Sequence, residues 1–251
     1  MASNWISYNE LAWTENLLAN PEECKKEVLF YITLLKQYSV IEINSLLHLG
    51  CGAGGHDTYF KQQFKVTGVD LSNGMLKIAR GRHSELEYIE GDMKTIRLNR
   101  QFDAVIIPDS IDYMVSEDEV NQAVTTAELH LTKGGVLLIA AKTKETFRNN
   151  NFAYTGEKDG VNVTLLENNF INTFKPNTYE SAFMYLIREQ GKLSIRTEHQ
   201  LLGLFSEDTW EKVFKNAWLK LYKENLAGMY SKNLLNNGEY PVTIFIGQKE
   251  K

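Results

Sequence analysis

The residues of this chain best suited to chemistry are a glycine loop and the acidic residues that follow it at intervals. LLHLGCGAGG, residues 46–55, is an apolar run that opens into four glycines. Gly50, Gly52 and Gly54 let the backbone turn tightly and approach a ligand with no side chain between them, while a helix behind the loop offers its first backbone amides. Taken alone, the run also satisfies GxGxxG through Gly50, Gly52 and Gly55, so a nicotinamide or flavin dehydrogenase and a glycine turn without a ligand both stay open. Asp70 ends the next apolar run, KVTGVD. A carboxylate there can accept both hydroxyls of an adenosine ribose. Ser72 is the better helix N-cap, which leaves Asp70 for a ligand. In YIEGDM, Asp92 can accept the exocyclic amine of adenine and Met93 can cover the ring. A dehydrogenase has no standard need of that second acid, so Asp92 separates the two nucleotide readings.

A second group follows FDAVIIP, the run that ends at Pro108: Asp109, Ser110, Asp112 and Tyr113. If that run is a strand of a parallel sheet, these side chains lie beyond its carboxyl end, where ligands sit. Asp109 or Asp112 can attract a cation there, or merely cap a helix that starts near Ser116. Farther on, Tyr179, Ser181, Phe183 and Tyr185 share one face at period two, as a substrate wall or as a half-buried strand. His199, beside an apolar run, is either a general base or a structural histidine. His56, His83 and His130 read as surface residues, and the clustered carboxylates lack a recognisable metal-ligand spacing.

These residues need a scaffold, and the apolar pattern supplies one. A helix opens at Pro21 and continues to Ser39, with Val28, Ile32 and Leu35 at helical spacing. SLLHL, KVTGV, LEYIE, FDAVIIP and GVLLIAA then alternate with helices over residues 56–64, 72–82 and 117–131. That alternation predicts an α/β fold, a Rossmann-like, doubly wound and mostly parallel sheet with helices on both faces. Residues 154–204 instead carry strand-like runs, with a hairpin at Glu189, Gln190 and Gly191. A helix over 206–217, capped by Ser206, and strands near 218–222 and 242–248 close the chain.

LLHLGCGAG, VDLSNGML, GDM, FDAVIIPDSIDYM and LTKGGVLLI resemble, in order and at normal spacings, the motifs of class I S-adenosylmethionine-dependent methyltransferases. GDMKTIRLNRQFDAV and EHQLLGLFSEDTWEKVF are similar to the small-molecule N-methyltransferases that dimethylate amino groups on nucleotide-linked sugars, and this likeness reaches nearly the whole chain. The resemblance implies S-adenosylmethionine as the methyl donor. Gly50, Gly52 and Gly54, with Cys51, would line its methionine and ribose portions, Asp70 would hold the ribose, Leu71 and Met75 would border the adenine, and Asp92 and Met93 would recognise it. Pro108 and Tyr8 complete the expected donor contacts, Tyr8 being what survives of an N-terminal tyrosine motif, with Glu15 where a second aromatic belongs. His48 stands where the family has an acidic residue near the donor's amino group, and Ala217 and Trp218 stand where it has a glycine. On the acceptor side, Asp109, Asp112, Tyr113 and His199 are the candidates to take a proton, and Ser110, Tyr179 and Tyr185 to contact the substrate.

The expected organisation is a helical cap over 1–44, a donor-binding core over 45–150, an antiparallel β roof covering the active site over 151–204, and completion of the core sheet over 205–251. A net charge of -5 with scattered Lys and Arg supplies no basic stripe for a phosphate backbone, so nucleic acid is not an expected partner. Two cysteines fit a reducing compartment, and no apolar run approaches about 18 residues, so a cytoplasmic protein with no membrane span is expected, as a monomer or homodimer. Two readings compete with amine methylation: an O- or C-methyltransferase of a small metabolite, and a non-catalytic protein that only binds S-adenosylmethionine.

Overall fold

The computed structural model describes residues 5–226, 228, 230, 232–235 and 240–250. A short helix α1 (Glu15–Leu18) precedes α2 (Pro21–Tyr38). Next come β1 (Ser45–Leu49), α3 (Asp57–Phe60), β2 (Lys65–Asp70), α4 (Asn73–Arg82), β3 (Glu87–Glu90), β4 (Phe102–Pro108), α5 (Glu117–Leu129) and β5 (Leu131–Ala141). Four long strands follow, β6 (Asn150–Lys158), β7 (Val161–Ile171), β8 (Thr178–Glu189) and β9 (Lys192–Gly203), and then α6 (Glu207–Asn216), β10 (Leu219–Leu226) and β11 (Val242–Lys249). The seven-stranded sheet has the order β10-β11-β5-β4-β1-β2-β3. Strands β1 to β5 pair in parallel, while β11 is antiparallel to both β5 and β10. The α/β alternation read from the sequence is thus the doubly wound, mostly parallel sheet expected.

Each of the four longer helices, α2, α4, α5 and α6, starts where its sequence supplies a cap. Asn20 accepts from the Glu22 amide with Pro21 in the first turn, Ser72 accepts from Met75, Ser116 from Glu119 and Ser206 from Thr209. Such a cap is worth about 1 kcal/mol. Val28, Tyr31 and Leu35 of α2 bury against Leu46, Ala104, Ile106 and Leu138 on one face of the sheet. Val120 and Val124 of α5, with Trp210 and Phe214 of α6, bury against Val105, Ile107, Leu137 and Phe245 on the other. The helix expected over residues 56–64 is reduced to α3, because Asp57 turns its carboxylate inward to His48 and Tyr88 and the chain must enter β2 at Lys65.

Strands β6 to β9 form a separate four-stranded antiparallel sheet joined by hairpins. At the β8–β9 turn, Gln190 and Gly191 both take left-handed backbone, with φ of 49° and 76°, as a two-residue turn of type I′ requires. On β8, Tyr179, Ser181 and Tyr185 are buried, with Phe183 half-buried between them, so the face read at period two is the inward one.

Trp218 explains one departure from the family pattern. It follows the end of α6 with φ of 55° and is 88% exposed, occupying the left-handed position that glycine favours after a helix. A non-glycine residue pays about 1 kcal/mol for that conformation. Trp218→Gly should therefore leave stability unchanged or raise it by up to about 1 kcal/mol in urea unfolding; a loss larger than that would mean that the exposed indole packs on something.

Candidate active site

The order of the parallel strands reverses between β1 and β4, which leaves a crevice beyond their carboxyl ends. The loop after β1 borders that crevice. Gly50, Gly52 and Gly54 all have positive φ, of 73°, 52° and 72°, yet they face different surroundings. A side chain at Gly50 would collide with Ser110, and one at Gly54 would come within 2.7 Å of the Tyr88 hydroxyl. At Gly52 nothing lies within 4 Å of where a Cβ would be. Gly52 is thus the glycine that opens a cradle, whereas Gly54, expected to line a ligand, faces the protein interior. The Cys51 side chain packs inward too, with Leu76, Ala79 and Tyr88, which leaves its backbone to border the cradle, and burial pushes its thiol well above the usual range.

Asp70 is not left idle, as the placing of Ser72 at the cap suggested. Its Oδ2 accepts from the Gly52 amide and its Oδ1 from the Ser72 amide, each at 2.8 Å. Burial raises its pKa and these two amides oppose the rise. Each carboxylate oxygen keeps a second lone pair, so the two bonds aim the group without exhausting it. His48 is fully buried, and its Nδ1 lies 2.7 Å from Asp57 Oδ1. Burial would raise the Asp57 pKa, but His48 and the Tyr88 hydroxyl outweigh it and the carboxyl is lowered. The His48 Nε2 is buried with no hydrogen-bond partner among the described residues. An empty cradle at Gly52, spare acceptor capacity on Asp70 and an unpartnered ring nitrogen on His48 fit the polar groups of S-adenosylmethionine.

The remaining donor-side residues differ in readiness. Leu71 is exposed, Met75 is buried against Ala12, Ala53 and Tyr8, and Met93 packs at the edge of the main core and beside Gly50. Asp92 is partly spent on its own loop, accepting from the Lys94 amide at 2.8 Å and lying 3.7 Å from the Lys94 ammonium. Pro108 is buried at the end of β4, opposite Ala140.

A 3-10 turn, Ser110–Tyr113, follows β4 and starts from a left-handed Asp109, φ 54°. Neither Asp109 nor Asp112 caps α5, since Ser116 does so. Asp112 is 5% exposed, and its Oδ2 accepts from the Lys142 ammonium at 2.8 Å and from the Tyr179 hydroxyl at 2.9 Å. Lys142, at the end of β5, is itself 7% exposed and lies 5.1 Å from the Tyr240 ring centre. Burial alone would lower its pKa, but Asp112 and the surrounding tyrosines raise it well above the usual lysine range, so it stays an ammonium. Asp109 differs from Asp112. Its side chain is 43% exposed, its Oδ1 is 3.8 Å from Lys142, and desolvation within the crevice pushes it up to about 6 against the pull of Lys142.

The N-terminal segment and the antiparallel sheet meet above these groups. The Tyr8 and Tyr113 hydroxyls share a short hydrogen bond, Tyr113 also donates to Gln200, and the Trp5 ring lies 4.8 Å from that of Tyr113. The Tyr8 carbonyl accepts from Ser72 at 2.6 Å, so Tyr8 touches both the donor side and the acceptor side. Glu198 of β9 accepts from the Ile6 amide at 2.6 Å.

Two expected acceptor residues lie elsewhere. Gln200 faces inward, so His199 faces outward; its side chain is 59% exposed and pairs with Glu180 at 3.3 Å, away from the Asp112 group. Tyr185 faces inward but packs in an apolar cluster with Leu11, Val163 and Ile187. Ser110 donates to the Leu49 carbonyl and abuts Gly50, joining the two turns rather than facing open space. His83 and His130 are buried, contrary to the surface reading: His83 Nε2 sits 3.0 Å from the Gly54 carbonyl, and His130 accepts from the Leu98 amide. His56 pairs with buried Glu27 at 3.0 Å. Lys142, Glu27, Tyr240 and Gln200 went unnoticed in the sequence. For Lys142 there was a signal, a lysine directly after the apolar run that ends at Ala141.

Residues 46–135 match a methyltransferase domain family. The dTDP-3-amino-3,4,6-trideoxy-alpha-D-glucopyranose N,N-dimethyltransferase of Streptomyces venezuelae is 38% identical over 39% of this chain and 42% of its own length, so the chain aligns with less than half of that relative. The dTDP-4-amino-2,3,4,6-tetradeoxy-D-glucose N,N-dimethyltransferase of Saccharopolyspora spinosa is 28% identical over 70% of this chain and 71% of its own. Among solved structures, DesVI of Streptomyces venezuelae superposes with a TM-score of 0.76 at 27% identity, covering 90% of this chain and 91% of its own. Among the described residues no helix is long and apolar enough to cross a membrane, which leaves membrane-spanning strands unaddressed. Residues 46–135 thus carry a methyltransferase domain, and the whole chain has the fold of the class I methyltransferases, similar to that of the amino sugar N-methyltransferases named above.

Proposed function

We propose that this chain transfers the methyl group of S-adenosylmethionine to an amine of a small molecule, a nucleotide-linked amino sugar being the class that its relatives act on. The observation that carries the acceptor assignment is the acidic end of β4: Asp112 is neutralised by Lys142, while Asp109 stays partly open to the crevice. A carboxylate there attracts an ammonium and can take its proton. When bound, S-adenosylmethionine supplies a methyl carbon on a sulfonium sulfur, whose C–S bond electrons leave with sulfur as the acceptor's nitrogen lone pair forms the new N–C bond. The chain's own work is alignment and exclusion of water. Gly52, Asp70 and His48 fix the donor, Asp109 holds the nitrogen, and Tyr8, Tyr113 and Tyr179 wall the space between. We assign the reaction to the cytoplasm, with no nucleic-acid partner, in a monomer or homodimer.

A panel of amino sugars, other amines, phenols and alcohols, scored by S-adenosylhomocysteine release, tests the acceptor. Release with amines alone is expected; methylation of hydroxyl or carbon acceptors only would reject the amine while keeping the donor site.

Three variants probe the roles. Asp70→Ala loses hydrogen bonds to a charged acceptor, each worth about 1.5 to 3 kcal/mol, so S-adenosylhomocysteine affinity in calorimetry should fall by about tenfold or more. Gly52→Val fills the cradle and should abolish that binding; unchanged affinity would misplace the ligand. Tyr179→Ala should mainly raise the acceptor's KM, with donor affinity intact, and an equal loss of both would contradict a wall role.

A further inference from the structure

Two carboxylates stand at the end of β4, but they are not equivalent, and Lys142 is what makes them differ. Its ammonium is 2.8 Å from Asp112 and 3.8 Å from Asp109, and lies over the rings of Tyr240 and Tyr179 at 5.1 and 5.8 Å. Asp112 spends Oδ2 on both Lys142 and Tyr179 and is buried, so it presents nothing to a substrate. Removing the lysine would leave two like charges three residues apart on one 3-10 turn, each opposing the other's ionisation.

We propose that Lys142 is a positioning residue for the acceptor: by ion-pairing Asp112 at the crevice floor and standing beside Asp109, it reserves Asp109 as the accessible carboxylate that receives the amine and its proton. This rests on the amine reading above. The proton leaves nitrogen for an Asp109 oxygen, its bonding pair stays on nitrogen, and that pair attacks the methyl. Lys142 cannot compete as an acceptor, because its own nitrogen holds its proton tightly and is tethered to Asp112.

Asp109 feels other groups too. Glu27 and Tyr31 face it from α2, His56 from the loop before α3, Asp112 from its own turn, and Tyr230 and Tyr240 from the connection between β10 and β11. Glu27 and Asp112 oppose its ionisation, whereas Lys142 ahead of His56 favours it. The lysine is therefore the main group holding Asp109 ionised at neutral pH.

The test follows the carboxyl carbon of Asp109 by NMR in protein labelled with carboxyl-13C aspartate and saturated with S-adenosylhomocysteine, the signal being assigned with Asp109→Asn. The parent should titrate near pH 6. Lys142→Met should move the midpoint upward by about 1 to 3 pH units. Lys142→Arg should hold it, and Lys142→Gln, which keeps a hydrogen bond to Asp112, serves if the Met variant fails to fold. The acidic limb of kcat/KM for the amine should shift with the same midpoint. An unmoved midpoint in the folded neutral variants, or a moved midpoint with an unmoved limb, overturns the assignment. No turnover by the parent with any amine, while S-adenosylhomocysteine still binds, rejects the amine reading on which this inference rests, whatever the titration shows.

Discussion

The reversal of strand order between β1 and β4 is the constraint on which the rest depends. Two neighbouring strands whose onward connections leave in opposite directions must both turn sharply, and the turns touch. The chain meets that demand with left-handed backbone at Gly50, where Ser110 leaves no room for a side chain, and at Asp109, a residue type that tolerates the conformation. The second turn is held by the Asp109 amide donating to Ala140 and the Asp112 amide donating to Asp109. Ser110 then ties it to the first through the Leu49 carbonyl. The donor loop and the acceptor acids are in consequence tied directly to each other.

Charge across the crevice is distributed unequally. The donor side offers polar groups that are already aimed, the Asp70 carboxylate by two amides and the His48 ring by Asp57. On the acceptor side, the buried ion pair of Lys142 with Asp112 costs desolvation that attraction only partly offsets, so stability alone is a weak reason for it. Its effect on Asp109 supplies a better one. Tyr8 completes the enclosure by reaching from Ser72 to Tyr113, and Glu198 and Gln200 anchor the N-terminal segment to the antiparallel sheet.

Local signals carried the fold well. Alternating apolar runs, serine caps at Ser72, Ser116 and Ser206, and the Gln190–Gly191 turn each act over a few residues, so the sequence displays them directly. The site was legible where backbone demands it, at Gly50, Gly52 and Asp70, and less so where partners are distant in sequence. Nothing local tells that Gly54 faces Tyr88, that Cys51 packs inward, or that Lys142 and Tyr179 converge on Asp112. His199 was avoidable: strand parity puts it opposite Gln200 and hence on the outer face. Tyr185 was not, because its cover comes from Leu11, far back in the chain.

The central claim is that one crevice, at the strand-order reversal, holds both the methyl donor and an amine. A crystal structure with S-adenosylhomocysteine and an amine acceptor measures this directly. The adenosine ribose is expected on Asp70, the ligand backbone against Gly52, and the acceptor nitrogen between the sulfur and Asp109. A donor bound away from Gly52, or an acceptor whose nitrogen points away from the Asp109 carboxylate, would contradict it.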